Sequence, residues 1–171
     1  KKENLGRLVT IKGLKYGDET FCLIYVNPNL SGEAKKAPKN RIFLSTDYGE
    51  TPKNWGITTW AMSSKLFEQH LLAGNFDSAA LQDDSMKVSE FKQKDGSYAI
   101  IPTAYAVSQY FKMGKATVQV RSSGFARFSD EEIDPDVLAG KATVDFTGIL
   151  TEYDGESQFT LIDLNGVKIN R

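Results

Sequence analysis

KATVDFTGILTEYDGESQFTLIDLNGVKIN, Lys141 to Asn170, is the stretch that decides the fold class. Two runs rich in β-branched and aromatic residues, Ala142 to Leu150 and Ser157 to Leu164, flank Tyr153-Asp154-Gly155-Glu156. The Asp-Gly step there supplies the positive φ that a tight hairpin turn needs. The segment reads as a β-hairpin, with the rest of the chain wrapped against it. An echo lies near the other end. Gly13 to Ile24 and Gly148 to Ile162 share the order of a strand, a Gly, a turn around Tyr and Gly, and a strand opening on Phe. One short gapped match is a weak repeat signal, and shared hairpin chemistry accounts for it as well as duplication does.

Outward from that hairpin, Arg7 to Ile11 and Phe21 to Val26 carry strand-like patterns and read as a first hairpin. Arg41 to Thr46, Tyr98 to Ile101, Thr103 to Phe111 and Ala116 to Arg121 read as further strands, with a helical alternative over Ala104 to Phe111. Ser63 or Ser64 can cap one helix, near residues 64–73, whose apolar positions Leu66, Phe67, Leu71 and Leu72 follow helical spacing up to a stop at Gly74. Asn27 to Asn40, with two prolines, a glycine and three lysines, reads as a long exposed loop. Asn75 to Gly96 reads as turns with a short helical piece, and Ser129 to Leu138, with five acids and Pro135, as a surface connection. Strands, one helix, then strands suit a mainly β protein, a small barrel built from hairpins with a helical insertion, better than an alternating α/β sheet.

The 171 residues fit a single compact unit over 1–171; the alternative is two small units over 1–112 and 113–171. No apolar run approaches the ~20 residues of a membrane-spanning helix. The net charge of −1 conceals an asymmetry: residues 1–41 hold nine Lys or Arg against four Asp or Glu, and residues 126–171 hold four against ten. In one compact body such a split most simply makes two mutually attracting faces. The single Cys22 excludes an intramolecular disulfide and, inside Phe21-Cys22-Leu23-Ile24-Tyr25-Val26, reads as a small buried hydrophobe. The opening Lys1-Lys2-Glu3-Asn4, without Met or signal peptide, is expected to reflect a trimmed or mature fragment.

Motifs for chemistry are absent from the pattern. His70, the one histidine, falls on the predicted helix beside Gln69, and no serine sits in a Gly-x-Ser-x-Gly elbow. Gly114-Lys115-Ala116-Thr117 and Gly140-Lys141-Ala142-Thr143 lack the upstream Gly and the hydroxyl after Lys that a phosphate loop requires. One Cys and one His make a poor transition-metal set, and Asp130 to Asp136 lacks the Asp-x-Asp-x-Asp-Gly order of a calcium loop. The expectation is a protein that is not an enzyme, with no catalytic residues, metal or cofactor.

Gly56-Ile57-Thr58-Thr59-Trp60-Ala61-Met62-Ser63, Val118 to Phe128, and Thr147-Gly148-Ile149-Leu150 followed by Gln158 to Leu164 resemble uncharacterised Bacteroidetes cell-envelope lipoproteins with OB-like β-barrel domains of unknown function. The resemblance spans most of residues 8–170. It implies one or two OB-like barrels and a secreted protein held to the envelope by a lipid on a cysteine upstream of Lys1. It brings no site residues. OB-like barrels bind oligosaccharides or single-stranded nucleic acid on one face and its loops. Tyr48, Trp55 and Trp60, in or beside a Gly-, Pro- and Asn-rich stretch, are the candidate ligand-stacking residues, with a core position as the alternative for Trp60 ahead of Ala61-Met62. A net charge of −1 weighs against nucleic acid, whereas carbohydrate needs no net charge. The expected function is a non-catalytic envelope module binding a polysaccharide, an oligosaccharide or another surface ligand. The alternative is a structural domain that docks an envelope protein.

Overall fold

In the computed structural model, which describes residues 2–48 and 51–171, seven strands form one mixed sheet. They are β1 (Leu8–Tyr25), β2 (Arg41–Leu44), β3 (Val107–Met113), β4 (Ala116–Ser122), β5 (Thr143–Tyr153), β6 (Glu156–Thr160) and β7 (Val167–Asn170). Three short helices, α1 (Gly32–Lys36), α2 (Ser64–Leu72) and α3 (Pro135–Leu138), complete the described elements together with short 3-10 turns. Five strands close a ring of hydrogen bonds in the order β1-β3-β4-β6-β5 and back to β1. Its pairings are antiparallel except β4 with β6, which run parallel through Val120↔Phe159 and Arg121↔Thr160. β2 and β7 extend the ring beside β1 and β5.

The terminal hairpin forms as its sequence dictates. Asp154 and Gly155 take φ of 49° and 81°, the two left-handed positions of a type I′ turn, and Tyr153 pairs with Glu156 across it. Along β5 the alternation buries Val144 and Phe146 while Asp145 and Thr147 stay partly exposed, so one face points into the ring. The second expected strand is shorter than its apolar pattern. β6 ends at Thr160, Asp163 accepts a hydrogen bond from the Asn165 N–H at 2.8 Å to begin a 3-10 turn, and the chain returns as β7 onto the start of β5.

The expected first hairpin is instead one strand of 18 residues. Gly13 (φ 70°) and Asp18 (φ 56°) sit where a reversal was expected, yet each marks a register shift, one between Ile11 and Leu14 against β5 and one between Tyr16 and Glu19 against β3. Bulges of this kind bend and twist a strand without ending it, which lets β1 pair with β5, β3 and β2 in succession. The 112/113 junction considered from the sequence lies within the β3–β4 hairpin.

Two apolar cores result. Inside the ring, Phe111 meets Phe146 edge-on at 4.7 Å, and Trp60, entering from the long β2–β3 connection, meets Phe146 at 5.7 Å and 90°. The second core joins Cys22, Ile24, Ile42 and Leu44 of β1 and β2 to Trp55, Phe67, Leu71, Phe76 and Tyr105. The expected helix is α2: Ser63 Oγ accepts the Leu66 N–H at 3.2 Å, and Phe67 and Leu71, four residues apart, are its buried pair. Two further helices lie in stretches expected to be loops. α1 stands in 27–40, where the buried Asn40 amide donates to the carbonyls of Asn27 and Lys35 and accepts from the Asn27 N–H. α3 begins with Pro135 at its first turn behind the Asp134 cap, and Ile133 and Val137 anchor it to the ring core, so this segment is more than a surface connection. Tyr98 to Ile101 forms a single bridge to Lys92 rather than a strand.

Burial also sets an alkaline limit. It pushes the Cys22 thiol up from 9.0 to about 12 and the Tyr16 phenol up from 10.0 to about 12, and it raises Tyr105 as well. The folded state therefore holds these protons more tightly than the unfolded chain. That stability is full below the ordinary values and is lost as pH climbs through them towards about 12. The thermal midpoint is expected to stay level from about pH 7 to 8.5 and to fall steeply above about pH 10. Cys22 is expected to resist iodoacetamide in the native protein and to react fully in guanidinium; rapid native labelling would contradict its buried placement.

Candidate functional site

Because Cys22 and Ile24 of β1 point into the second core, Phe21, Leu23 and Tyr25 point the other way, onto the outer face of the sheet. In register beside them stand Phe43 opposite Leu23 and Arg41 opposite Tyr25 on β2. On the other side Phe21 is opposite Ser108 of β3, and Ser108 is opposite Arg121 of β4. The Ser108 side chain is fully buried and accepts the Gln119 amide at 2.8 Å, and Phe21 and Arg121 on its two sides both line a hollow. The result is a groove of about 520 Å³ with an aromatic floor.

Its rim comes from loops. Phe125, 84% exposed, stands on the loop after β4, and Tyr153, 73% exposed, on the β5–β6 turn. Thr103 to Ala106 close the end nearest the second core. There the Tyr105 hydroxyl donates to the Tyr25 carbonyl at 3.0 Å and accepts the Tyr25 N–H at 3.1 Å, which fixes the groove wall to β1. Lys35 reaches over the Tyr25 ring at 4.9 Å while donating to the Pro28 carbonyl, and the Arg41 guanidinium lies 5.1 Å over Phe43. Three cations thus line the groove, with no carboxylate among the described residues of its lining.

No protein-family model, curated protein or solved structure matches this chain.

Two of the three stacking candidates are buried: Trp55 is corrected, and Trp60 takes the core position that was its alternative. Trp55 is 1% exposed and Trp60 3%: Trp55 packs in the core beneath β1 and β2, and Trp60 fills the ring. Neither ring offers a face to solvent. Their Gly-, Pro- and Asn-rich surroundings suggested a loop, but the chain there folds inward, with the Trp60 backbone N–H donating to the Glu131 carbonyl and the Gln109 amide donating to the carbonyls of Ile57 and Thr59. Tyr48 is 49% exposed and stacked on Phe43 at 4.6 Å, but it borders a different cleft, with Asp47, Gln82, Asp84 and Lys87. Phe43 alone among these residues lines both hollows. The groove residues Phe21, Leu23, Tyr25, Arg121, Phe125 and Tyr153 escaped the sequence reading because 21–26 is apolar at every position, so its two faces look alike. The one available signal was Phe125, a large ring set among Ser122, Ser123 and Gly124.

The other polar candidates are occupied structurally. Burial lowers the His70 pKa; its Nδ1 accepts the Asn75 amide at 2.8 Å and its ring lies on Phe76. Asp130 accepts Ser63 N–H at 2.7 Å and Ser63 Oγ–H at 2.5 Å, Glu132 accepts Thr58 at 2.6 Å, and Asp134 and Asp136 both take Arg171. Among the described residues no group of three His, Cys, Asp or Glu is placed to hold a metal ion, and no helix is long and apolar enough to cross a membrane.

Proposed function

We propose that the chain is a non-catalytic binding module that takes a glycan in the groove over the outer face of β1. The observation that carries the reading is the pair of exposed rings, Phe125 and Tyr153, rimming an aromatic floor already built into the sheet. Flat apolar rings on a rigid support suit the faces of sugar rings, and little reorganisation is needed to present them. We also read the five-strand ring as an OB-like barrel. Its connectivity supports this: the third and fifth ring strands, β4 and β6, pair in parallel, and α3 lies between the third and fourth. In that frame the groove occupies the side where OB folds bind, between the loop joining the first two ring strands and the β5–β6 turn. The envelope location follows from the sequence resemblance, and fractionation of the native protein checks it.

The test is thermal shift of the purified protein across neutral and acidic oligosaccharides, with Phe125→Ala and Tyr153→Ala beside the wild type. A ligand that prefers the native state raises its stability, by about 2.7 kcal/mol at a hundredfold excess over Kd. One glycan class is expected to give a saturable rise, with affinity weakened about tenfold in Phe125→Ala; the exposed ring itself contributes within about 0.5 kcal/mol to stability. Equal binding by both variants would move the site elsewhere. Silence from a folded protein would favour the docking-domain alternative.

A further inference from the structure

We infer that the ligand of this groove is an acidic oligosaccharide, one whose sugar rings carry carboxylate or sulfate groups; the inference rests on the glycan reading above. Charge is the carrying observation. The chain has 22 acids against 21 Lys and Arg, yet Lys35, Arg41 and Arg121 line one groove with no acid among the described residues of its lining. Gathering like charges without counter-charge costs free energy, and a bound anion offsets it.

The three cations are held in different ways. Lys35 is tethered to the Pro28 carbonyl at 3.0 Å. Arg41 gives one terminal nitrogen to the Lys36 carbonyl at 3.3 Å, while its Nε is buried with no partner among the described residues. Arg121 has no hydrogen bond or ion pair among the described residues, although half-buried between Phe21 and Gln158 in the lining. The Arg121 guanidinium, its donors not taken up by other described residues, matches a carboxylate or sulfate in a two-pronged contact, while the adjacent rings hold the sugar faces.

The size of the charged region favours a short acidic sugar over a nucleic-acid strand. The charge is mixed immediately beyond the groove: Glu19, opposite Tyr110, is paired with Lys112 at 3.5 Å, and Tyr110 lies in the fields of Asp47 and Glu19 as well as that of Arg121. A strand carrying a phosphate at every nucleotide needs a continuous basic track, whereas one or two isolated anionic groups need only this groove.

The experiment is isothermal titration of the wild-type chain at low salt with oligogalacturonate, oligoalginate and sulfated chondroitin oligosaccharides. Each is run beside its uncharged counterpart, methyl-esterified, carboxyl-reduced or desulfated, and beside an oligothymidylate. At least one acidic sugar is expected to bind about tenfold or more tighter than its neutral counterpart. Arg121→Gln is expected to weaken it about tenfold with the thermal midpoint unchanged, and Lys168→Gln, outside the groove, to leave it unaltered. Should Arg121→Gln fold poorly, loss of affinity on raising salt in the wild type reads the same charge dependence. Equal binding of acidic and neutral forms would overturn the anion inference and leave the glycan reading standing. Binding of no sugar would overturn both, and binding of oligothymidylate alone would replace them with nucleic-acid recognition.

Discussion

Phe146→Ala is expected to lower the unfolding free energy by about 3–5 kcal/mol, a large share of the about 5–15 kcal/mol that holds a typical domain folded. Phe146 is fully buried at the centre of the ring, edge-on to Phe111 at 4.7 Å and Trp60 at 5.7 Å and 6.1 Å from Phe159. Removing its ring takes away apolar burial and leaves a void. How much of that void can collapse decides the cost. Here the surrounding backbone is tied into a closed circuit of hydrogen bonds, so the walls have little freedom to move inward. Urea denaturation checks it: the midpoint should fall with the slope unchanged. A loss under about 1 kcal/mol would mean that Phe146 is not at the centre of a close-packed ring.

Gly124→Ala is expected to damage both stability and binding. Gly124 lies against the bridge between Met62 and Tyr105, in which each N–H donates to the other's carbonyl, at 3.2 and 2.9 Å. A Cβ there would stand 2.5 Å from both the nitrogen and the oxygen of Tyr105 and 2.6 Å from the Met62 oxygen. These are backbone atoms in a paired segment and cannot swing aside. Either the 123–126 loop lifts away or the bridge opens, at a cost of about 1–3 kcal/mol or more. Either response also displaces Phe125 or Tyr105, and both line the groove. Thermal melting with a binding titration on the same variant reads the two effects. Wild-type behaviour in both would show that the loop does not rest on this bridge.

The parts of the fold legible in the sequence are those set locally. The Asp154-Gly155 turn, the Ser63 cap with Phe67 and Leu71, and the alternation in β4 and β5 each act over a few residues and survive whatever surrounds them. The rest depends on partners distant in the chain. Asp18 looks like a turn residue, and only the β3 strand beside it makes it a bulge. Trp55 and Trp60 sit in turn-rich sequence, and their burial is decided by β1, β2 and the ring closing over them. The groove was the least legible part. Phe21, Arg41 and Arg121 are far apart in sequence, and what makes them a site is the register that sets β2, β1, β3 and β4 side by side.

The most direct test of the groove is a ¹H–¹⁵N chemical-shift titration of the labelled chain with the acidic oligosaccharides. Binding in the groove predicts saturable shifts grouped on Phe21 to Tyr25, Arg121 to Phe125 and Tyr153 to Gln158, with the ring core around Phe146 still. Shifts centred instead on the cleft beside Tyr48 and Lys87, or no shifts from any of these sugars, would contradict it.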